Sequence, residues 1–153
     1  MNLRLRLAAE GDRGFIESLG KRTVMDSVSA MRSPNPPDVI ENFERLLGIV
    51  YRRDHVAVIA ELAGKPVGFL LLLDSLPDEV TGEAQGFIAY MAVEPNHRAA
   101  GIGAALLARA EDEARRLDLP YMGLMVTEEN APARALYERA GYRTERRLLC
   151  KTL

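Results

Sequence analysis

The chain has 153 residues, of which 48% are hydrophobic and 27% are charged, and its formal net charge is -2. These values suit a single domain over residues 1–153 that buries a sizeable core, and they exclude the broad basic field of nucleic-acid-binding proteins. The one cysteine, Cys150, excludes an intrachain disulfide and a cysteine-cluster metal site. We therefore expect no metal ion and no nucleic-acid partner.

Two features of the chain bear on its location. The first residues alternate in polarity and lack the apolar core of a secretion signal. The longest apolar run, residues 67–73, is far shorter than the roughly 20 residues that a membrane-spanning helix needs. The sequence predicts a cytoplasmic protein without a membrane partner.

Hydrophobic periodicity predicts five elements in the first half of the chain. Leucine alternates with arginine over residues 3–7, which is typical of a strand with one covered face. A helix is predicted over residues 12–22 and a second one from the two prolines at 36 and 37, because apolar residues recur there at helical spacing. Residues 55–62 and 66–74 are rich in apolar and branched side chains, and the turn at 63–65 favours a hairpin.

The second half continues with a strand over residues 86–93 and a helix over residues 101–117. A strand over 121–126 and a short helix over 131–140, ended by Gly141, follow. Residues 142–151 are predicted as a last strand. The order β-α-α-β-β-β-α-β-α-β shows no repeat and no linker, so we predict one α/β domain.

The junction between the strand at 86–93 and the next helix carries the first functional signal, Arg98-x-x-Gly101-x-Gly103. The first N–H groups of a helix have no intrahelical acceptor, and glycine lets a phosphate approach them closely. Arg98 can add a charge-assisted contact. This pattern favours a diphosphate site, and a polar turn before a glycine-rich helix is the alternative.

A second pattern, Asn130-x-x-Ala133-x-x-x-Tyr137, lies on the short helix. Seven residues make almost two helical turns, so Asn130 and Tyr137 point to nearly the same side with a small residue between them. The arrangement leaves room for a narrow ligand. Alternatively, Asn130 is a helix N-cap and Tyr137 is a core aromatic residue.

Residues 86–147 together resemble the GNAT superfamily of acetyl-CoA-dependent N-acetyltransferases. The resemblance rests on the strand ending in Met91-Ala92-Val93, the glycine loop, the long helix, the Asn130 to Tyr137 pattern and the Gly141-Tyr142 pair that follows it. It implies an α/β (α+β) GNAT-like fold, whose mixed central sheet is splayed between the fourth and fifth strands and carries helices on both faces.

The resemblance also implies the roles of the site residues. Acetyl-CoA would lie in the splayed gap, with its pyrophosphate on the N–H groups of residues 99–104. A strand bulge would turn backbone groups of Met91 and Val93 toward the thioester, where an N–H stabilises an oxyanion, and Tyr137 would meet the departing sulfur. The implied cofactor-binding residues are Met91, Ala92, Val93, Arg98, Ala99, Ala100, Gly101, Ile102, Gly103, Ala104, Asn130, Ala133 and Tyr137.

The acceptor is predicted to be a primary amine of a small molecule or peptide, attacked directly through a tetrahedral intermediate. An ordinary ammonium near pKa 10.4 is under about 0.1% neutral at pH 7, so a base is needed. We favour Glu83 as this catalytic base, with Glu94, Tyr90 or a water chain as alternatives. The acids between residues 74 and 85 favour a cationic acceptor. Met125 stands where relatives that modify ribosomal proteins often carry glutamate, so the resemblance does not favour a ribosomal-protein acceptor.

Two further function classes remain open at this point. A non-catalytic CoA-binding sensor or regulatory subunit would keep the same cofactor slot without transferring an acetyl group. A mononucleotide-binding domain is disfavoured, because no repeated parallel βαβ unit precedes the glycine loop. A homodimer is expected from the family resemblance alone.

Overall fold

One mixed sheet organises the molecule in the computed structural model, which describes residues 2–153. The five strands lie in the sheet in chain order. The first four are antiparallel to their neighbours, and the fifth strand runs parallel to the fourth. The strands are β1 (Leu3–Leu7), β2 (His55–Leu62), β3 (Lys65–Leu73), β4 (Gly86–Val93) and β5 (Met122–Leu124).

Four helices cover the two faces of this sheet: α1 (Arg13–Thr23), α2 (Pro36–Arg52), α3 (Ile102–Arg116) and α4 (Ala131–Arg139). The apolar sides of α1 and α2 pack on one face, around Phe43 and Phe69, and α3 packs on the other, around Leu70 and Leu106. All four of these side chains are buried. Each face of the sheet therefore has its own core, as a layered α/β arrangement requires.

One glycine sets the packing of α1 against α2. A Cβ atom placed on Gly20 would lie 2.0 Å from the ring of Phe43, so the ring lies directly on the helix backbone. Phe43 in turn contacts Tyr90 of β4, with ring centroids 5.0 Å apart. Gly20 thus lets Phe43 of α2 reach β4.

The first nine elements lie where the sequence predicts them, within one or two residues at most ends, but the last strand is wrong. Residues 142–153 form no regular secondary structure, and Leu148 and Leu149 are 88% and 86% exposed. The strand prediction failed because a strand needs a hydrogen-bonding neighbour. β5 offers only three residues, fewer than the six predicted, and its outer edge has no paired strand within residues 2–153.

The predicted splay between the fourth and fifth strands is present. β4 pairs with β5 only at Gly86, Phe87 and Ile88. Directly afterwards β4 contains a bulge: Leu72 pairs with Ile88 and Leu71 with Tyr90, which leaves Ala89 without a partner. A bulge bends its strand and increases the local twist, so the two strands separate from residue 89 onward.

Candidate functional site

The gap beyond the bulge is edged by backbone groups of β4 that do not pair with β3. The N–H of Glu94 donates to the carbonyl of Val67 on β3 at 2.7 Å. Successive residues of a strand direct these groups to opposite edges, so Met91 and Val93 direct theirs away from β3 and toward the gap. Consistent with this, the Val93 carbonyl accepts a 3.4 Å hydrogen bond from Nε of Arg98. Met91 and Val93 thus face the gap, and their contact with a thioester stays a prediction.

The loop at the start of α3 lies beside this gap. Ala99 and Gly101 have positive φ angles of 61° and 82°, and Gly101 caps α3 in the left-handed conformation. Within residues 2–153, no N–H of residues 99–104 donates a hydrogen bond to a protein acceptor. Six consecutive N–H groups at the positive end of a helix are therefore free to bind an anion.

Gly103 makes the close packing of this loop possible. A Cβ atom at Gly103 would approach Leu136 of α4 to 3.1 Å and Met91 of β4 to 3.9 Å. The first turn of α3 thus contacts both α4 and the edge of the gap. The predicted phosphate loop and the predicted slot are brought together here.

Asn130 and Tyr137 both take structural roles in α4. The Oδ1 atom of Asn130 accepts a 3.4 Å hydrogen bond from the N–H of Ala133, so Asn130 is the N-cap. This bond is long and uses only the oxygen, which leaves the two amide N–H donors of Asn130 available. The structural alternative for Asn130 is therefore correct, and it does not exclude ligand binding.

Tyr137 is a half-buried residue that packs against the core beneath α3. Its ring meets the ring of Tyr142 edge-on with centroids 6.0 Å apart, and the Tyr142 hydroxyl donates to Glu111 at 2.8 Å. The Tyr137 hydroxyl has no protein hydrogen-bond partner in the part of the chain that the structure describes. Burial raises the pKa of Tyr137 above its ordinary value, so the phenol stays protonated at neutral pH.

The opposite face of β4 presents a second hydroxyl. Tyr90 stacks on Phe69, and its hydroxyl lies 2.8 Å from the Oγ1 atom of Thr23 at the end of α1. Burial is the main cause that raises the pKa of Tyr90. Tyr90 and Tyr137 therefore approach the region of β4 from different faces of the sheet.

The candidate bases differ in how they are held. Glu94 accepts two hydrogen bonds from Arg22, at 2.7 and 2.9 Å, and this ion pair lowers the pKa of Glu94. A carboxylate with a lowered pKa is a weaker base, so Glu94 is a poor candidate. Glu83 is exposed, and its side chain has no hydrogen-bond or ion-pair partner in the described chain.

With this geometry established, we compared the chain with known proteins. The Acetyltransferase (GNAT) family model matches residues 25–142.

The chain belongs to the GNAT acetyltransferase family.

Its relatives include mycothiol acetyltransferase from Beutenbergia cavernae, which is 42% identical over 67 residues; these residues are 44% of this chain and 21% of the relative. The chain thus matches about a fifth of that protein's length.

Solved structures agree on the GNAT fold. A candidate acetyl transferase from Pyrococcus furiosus superposes with a TM-score of 0.80 at 24% identity, over 99% of this chain and 100% of that one. A predicted acetyltransferase from Clostridium acetobutylicum, solved with acetyl-CoA, gives 0.67 at 23% identity, over 98% and 96% of the two chains. The family resemblance of the sequence is confirmed.

The acidic connection before β4 differs from its sequence-based interpretation. Asp78 accepts hydrogen bonds from the backbone of Thr81 and Val80, which are the main reason that its pKa is lowered, and it pairs with Arg146 at 2.6 Å. Arg146 also lies 3.7 Å from Glu79. Asp78 therefore organises this loop, and part of the negative charge of the connection is neutralised within the chain.

Sequence reasoning missed the contacts of residues 24–35, which join α1 to α2. Asp26 pairs with Arg98 at 3.3 Å, the Ser27 carbonyl accepts from Oγ1 of Thr127 at 2.5 Å, and the N–H of Ala30 donates to Glu129 at 3.0 Å. The partners are 72 to 100 positions apart, and no local pattern marks them. The α1–α2 connection thus extends from the loop before α3 to the residues preceding Asn130.

No group of three or more metal-ligating side chains is positioned to hold a metal ion within residues 2–153. Over the same residues, no helix is long and apolar enough to cross a membrane.

Proposed function

We propose that this protein transfers the acetyl group of acetyl-CoA to a primary amine of a small molecule or peptide. The observation that carries the proposal is the meeting of three features at one gap. Free N–H groups at the start of α3 and gap-facing backbone groups of Met91 and Val93 border it, and Tyr137, whose hydroxyl has no partner within residues 2–153, packs against the same core cluster as Met91 and Val93. Family membership supports the same chemistry.

Acetyl-CoA supplies an activated acetyl thioester. The residues present fit this co-substrate, because the N–H groups of residues 99–104 suit a pyrophosphate and Gly101 leaves open space in front of them. Arg98 would add a charge-assisted contact, and the amide of Asn130 would donate to the pantetheine arm. The side chain of Ala92 is buried toward α1 and α2, and its backbone groups face β3, so we assign Ala92 no direct contact with the co-substrate.

The proposed reaction is direct attack of the amine on the thioester carbonyl. An N–H of Met91 or Val93, aimed into the gap, would stabilise the oxyanion of the tetrahedral intermediate. A phenol near pKa 10 is a weaker acid than a thiol near 8.5, so full proton transfer to the leaving thiolate is uphill by about 2 kcal/mol. Burial raises the pKa of Tyr137 further. We therefore assign Tyr137 to hydrogen-bond stabilisation of the thiolate.

For removal of the ammonium proton we retain Glu83 as the proposed base. Its side chain is exposed and free, in contrast to Glu94, which Arg22 holds. Glu83 precedes β4 by three residues, and Gly86 to Met91 spans about 16 to 17 Å at the usual strand rise. A relay of water molecules would have to connect Glu83 with an amine at the thioester.

The experiment that tests this function combines two measurements on the wild-type chain. Thiol release from acetyl-CoA is followed across a panel of amines and peptides, and CoA binding is measured by calorimetry. We expect both binding and acceptor-dependent thiol release. Binding without turnover on any acceptor would favour the sensor or regulatory subunit, and no binding would reject both functions. A cytoplasmic location and a homodimer remain predictions.

A further inference from the structure

One ion pair connects the proposed CoA loop with the α1–α2 connection. Nη2 of Arg98 lies 3.3 Å from Oδ2 of Asp26, and the two side chains are 49% and 60% exposed. Arg98 is the only arginine or lysine in the loop between β4 and α3. Asp26 therefore binds the group that the pyrophosphate would need.

Asp26 also lies near the second hydroxyl of the site. It belongs to the short turn after α1, directly following Thr23, whose side chain contacts the Tyr90 hydroxyl. The negative charge of Asp26 is close enough to contribute to the raised pKa of Tyr90. The carboxylate thus lies between the anion-binding loop and the face of β4 that is covered by α1 and α2.

A pyrophosphate at residues 99–104 would compete with Asp26 for Arg98. An exposed carboxylate–arginine pair contributes little stability, because water screens it. A diphosphate carries more charge and forms stronger charge-assisted hydrogen bonds. Arg98 would turn to the diphosphate, and Asp26 would be left as an uncompensated negative charge near Tyr90.

We infer that Asp26 is a specificity-determining residue that binds a positive charge of the acceptor after CoA has drawn Arg98 away. The inference rests on the proposed function and names its acceptor class, an amine that carries a second cationic group. It assigns this role to the α1–α2 connection, because Asp78 and Glu79 of the acidic connection are paired with Arg146.

The first test is calorimetric titration of CoA into wild-type protein, Asp26→Asn and Asp112→Asn. Asp112 forms a similarly exposed pair with Arg115, at 59% and 70% exposure, on the far part of α3. We expect Asp26→Asn to bind CoA about two- to fivefold more tightly, because no carboxylate then competes with the diphosphate for Arg98, and Asp112→Asn to match wild type. Unchanged CoA affinity in Asp26→Asn would show that Asp26 does not compete with CoA for Arg98, and this would overturn the inference.

The second test compares 1,4-diaminobutane with butylamine, which lacks the second ammonium group. We expect Asp26→Asn to raise the KM for the diamine about two- to fivefold at saturating acetyl-CoA, the range of one exposed ion pair, with little change in kcat or in the KM for butylamine. Equal losses for both amines, or none, would overturn the assignment. If neither amine is turned over, calorimetry measures the affinity of CoA-loaded protein for the diamine in place of KM. Weaker binding by Asp26→Asn than by wild type supports the role of Asp26, and equal or absent binding overturns it.

These outcomes separate the inference from the proposed function. A wild-type protein that binds no CoA contradicts the function itself. A wild-type protein that binds CoA and acetylates amines, with an Asp26→Asn variant that behaves like Asp112→Asn, contradicts only the role of Asp26.

Discussion

The two sides of β4 differ in how completely they are closed. Toward β1 the sheet is fully paired, and helices cover both faces with buried side chains such as Phe69 and Leu70. Toward β5 the pairing stops after three residues, Tyr137 is only half-buried, and the chain beyond residue 142 is exposed. The closed side contains most of the apolar burial that stabilises the fold, and the open side contains the free polar groups that binding needs.

Substitutions on the two sides should therefore change different properties of the protein. Residues of the closed side should change the free energy of unfolding, and residues of the open side should change binding or turnover at nearly constant stability. Each prediction below tests that separation.

The largest effect is expected for Leu70→Ala on β3. Leu70 is fully buried, and removing a buried leucine side chain costs about 2 to 5 kcal/mol of unfolding free energy. Urea denaturation followed by circular dichroism measures this change. A loss below 1 kcal/mol would show that the closed side does not carry the stability of the fold.

The next effect concerns the acid stability of the closed side. Asp12 accepts hydrogen bonds from both Nη atoms of Arg6, at 2.7 and 2.9 Å, and this pair is the main cause of its lowered pKa. A carboxyl whose folded pKa lies below its unfolded value stabilises the fold above the unfolded pKa of about 4, and this contribution is lost as the pH falls further.

Asp12→Asn should therefore lower the unfolding free energy at pH 7 by about 1.5 to 3 kcal/mol, the range for hydrogen bonds to charged groups. The variant should also lose less stability than wild type as the pH falls below 4. Thermal unfolding between pH 3 and pH 7 measures both effects. Parallel pH profiles for the two proteins would show that this pair is not responsible.

On the open side, Tyr137→Phe should lower kcat about 10- to 100-fold, corresponding to roughly 1.4 to 2.7 kcal/mol for one hydrogen bond to a developing thiolate. The affinity for CoA and the unfolding free energy should change little, since only an unpartnered hydroxyl is removed. Steady-state kinetics, calorimetry and denaturation measure the three quantities. An unchanged kcat would exclude Tyr137 as a catalytic group.

The smallest effect is expected for Leu149→Ala, which matches Leu70→Ala in chemistry. Leu149 is 86% exposed, and substitutions at such positions usually change stability by less than about 0.5 kcal/mol. The same urea denaturation applies. A loss comparable with that of Leu70→Ala would show that residues 142–153 pack against a neighbour in solution.

The same division explains what the sequence reveals. Periodicity predicts β2 and β4 at their observed bounds and the helices nearly so, because buried faces leave regular apolar patterns. It fails at residues 142–151, where leucines follow a charged run but no paired neighbour exists. The Arg98 loop and Tyr137 are marked by local motifs, whereas Asp26 and Thr23 contact partners on other elements and leave no pattern.

The gap beside β4 is proposed to bind CoA through the N–H groups at the start of α3. Backbone amide chemical shifts, measured by nuclear magnetic resonance, test this binding most directly. CoA would be titrated into uniformly nitrogen-15-labelled protein while backbone amide shifts are recorded. We predict the largest changes at residues 99–104, with further changes at Met91, Val93 and Asn130. Changes confined to other parts of the chain, or none at saturating CoA, would contradict the account.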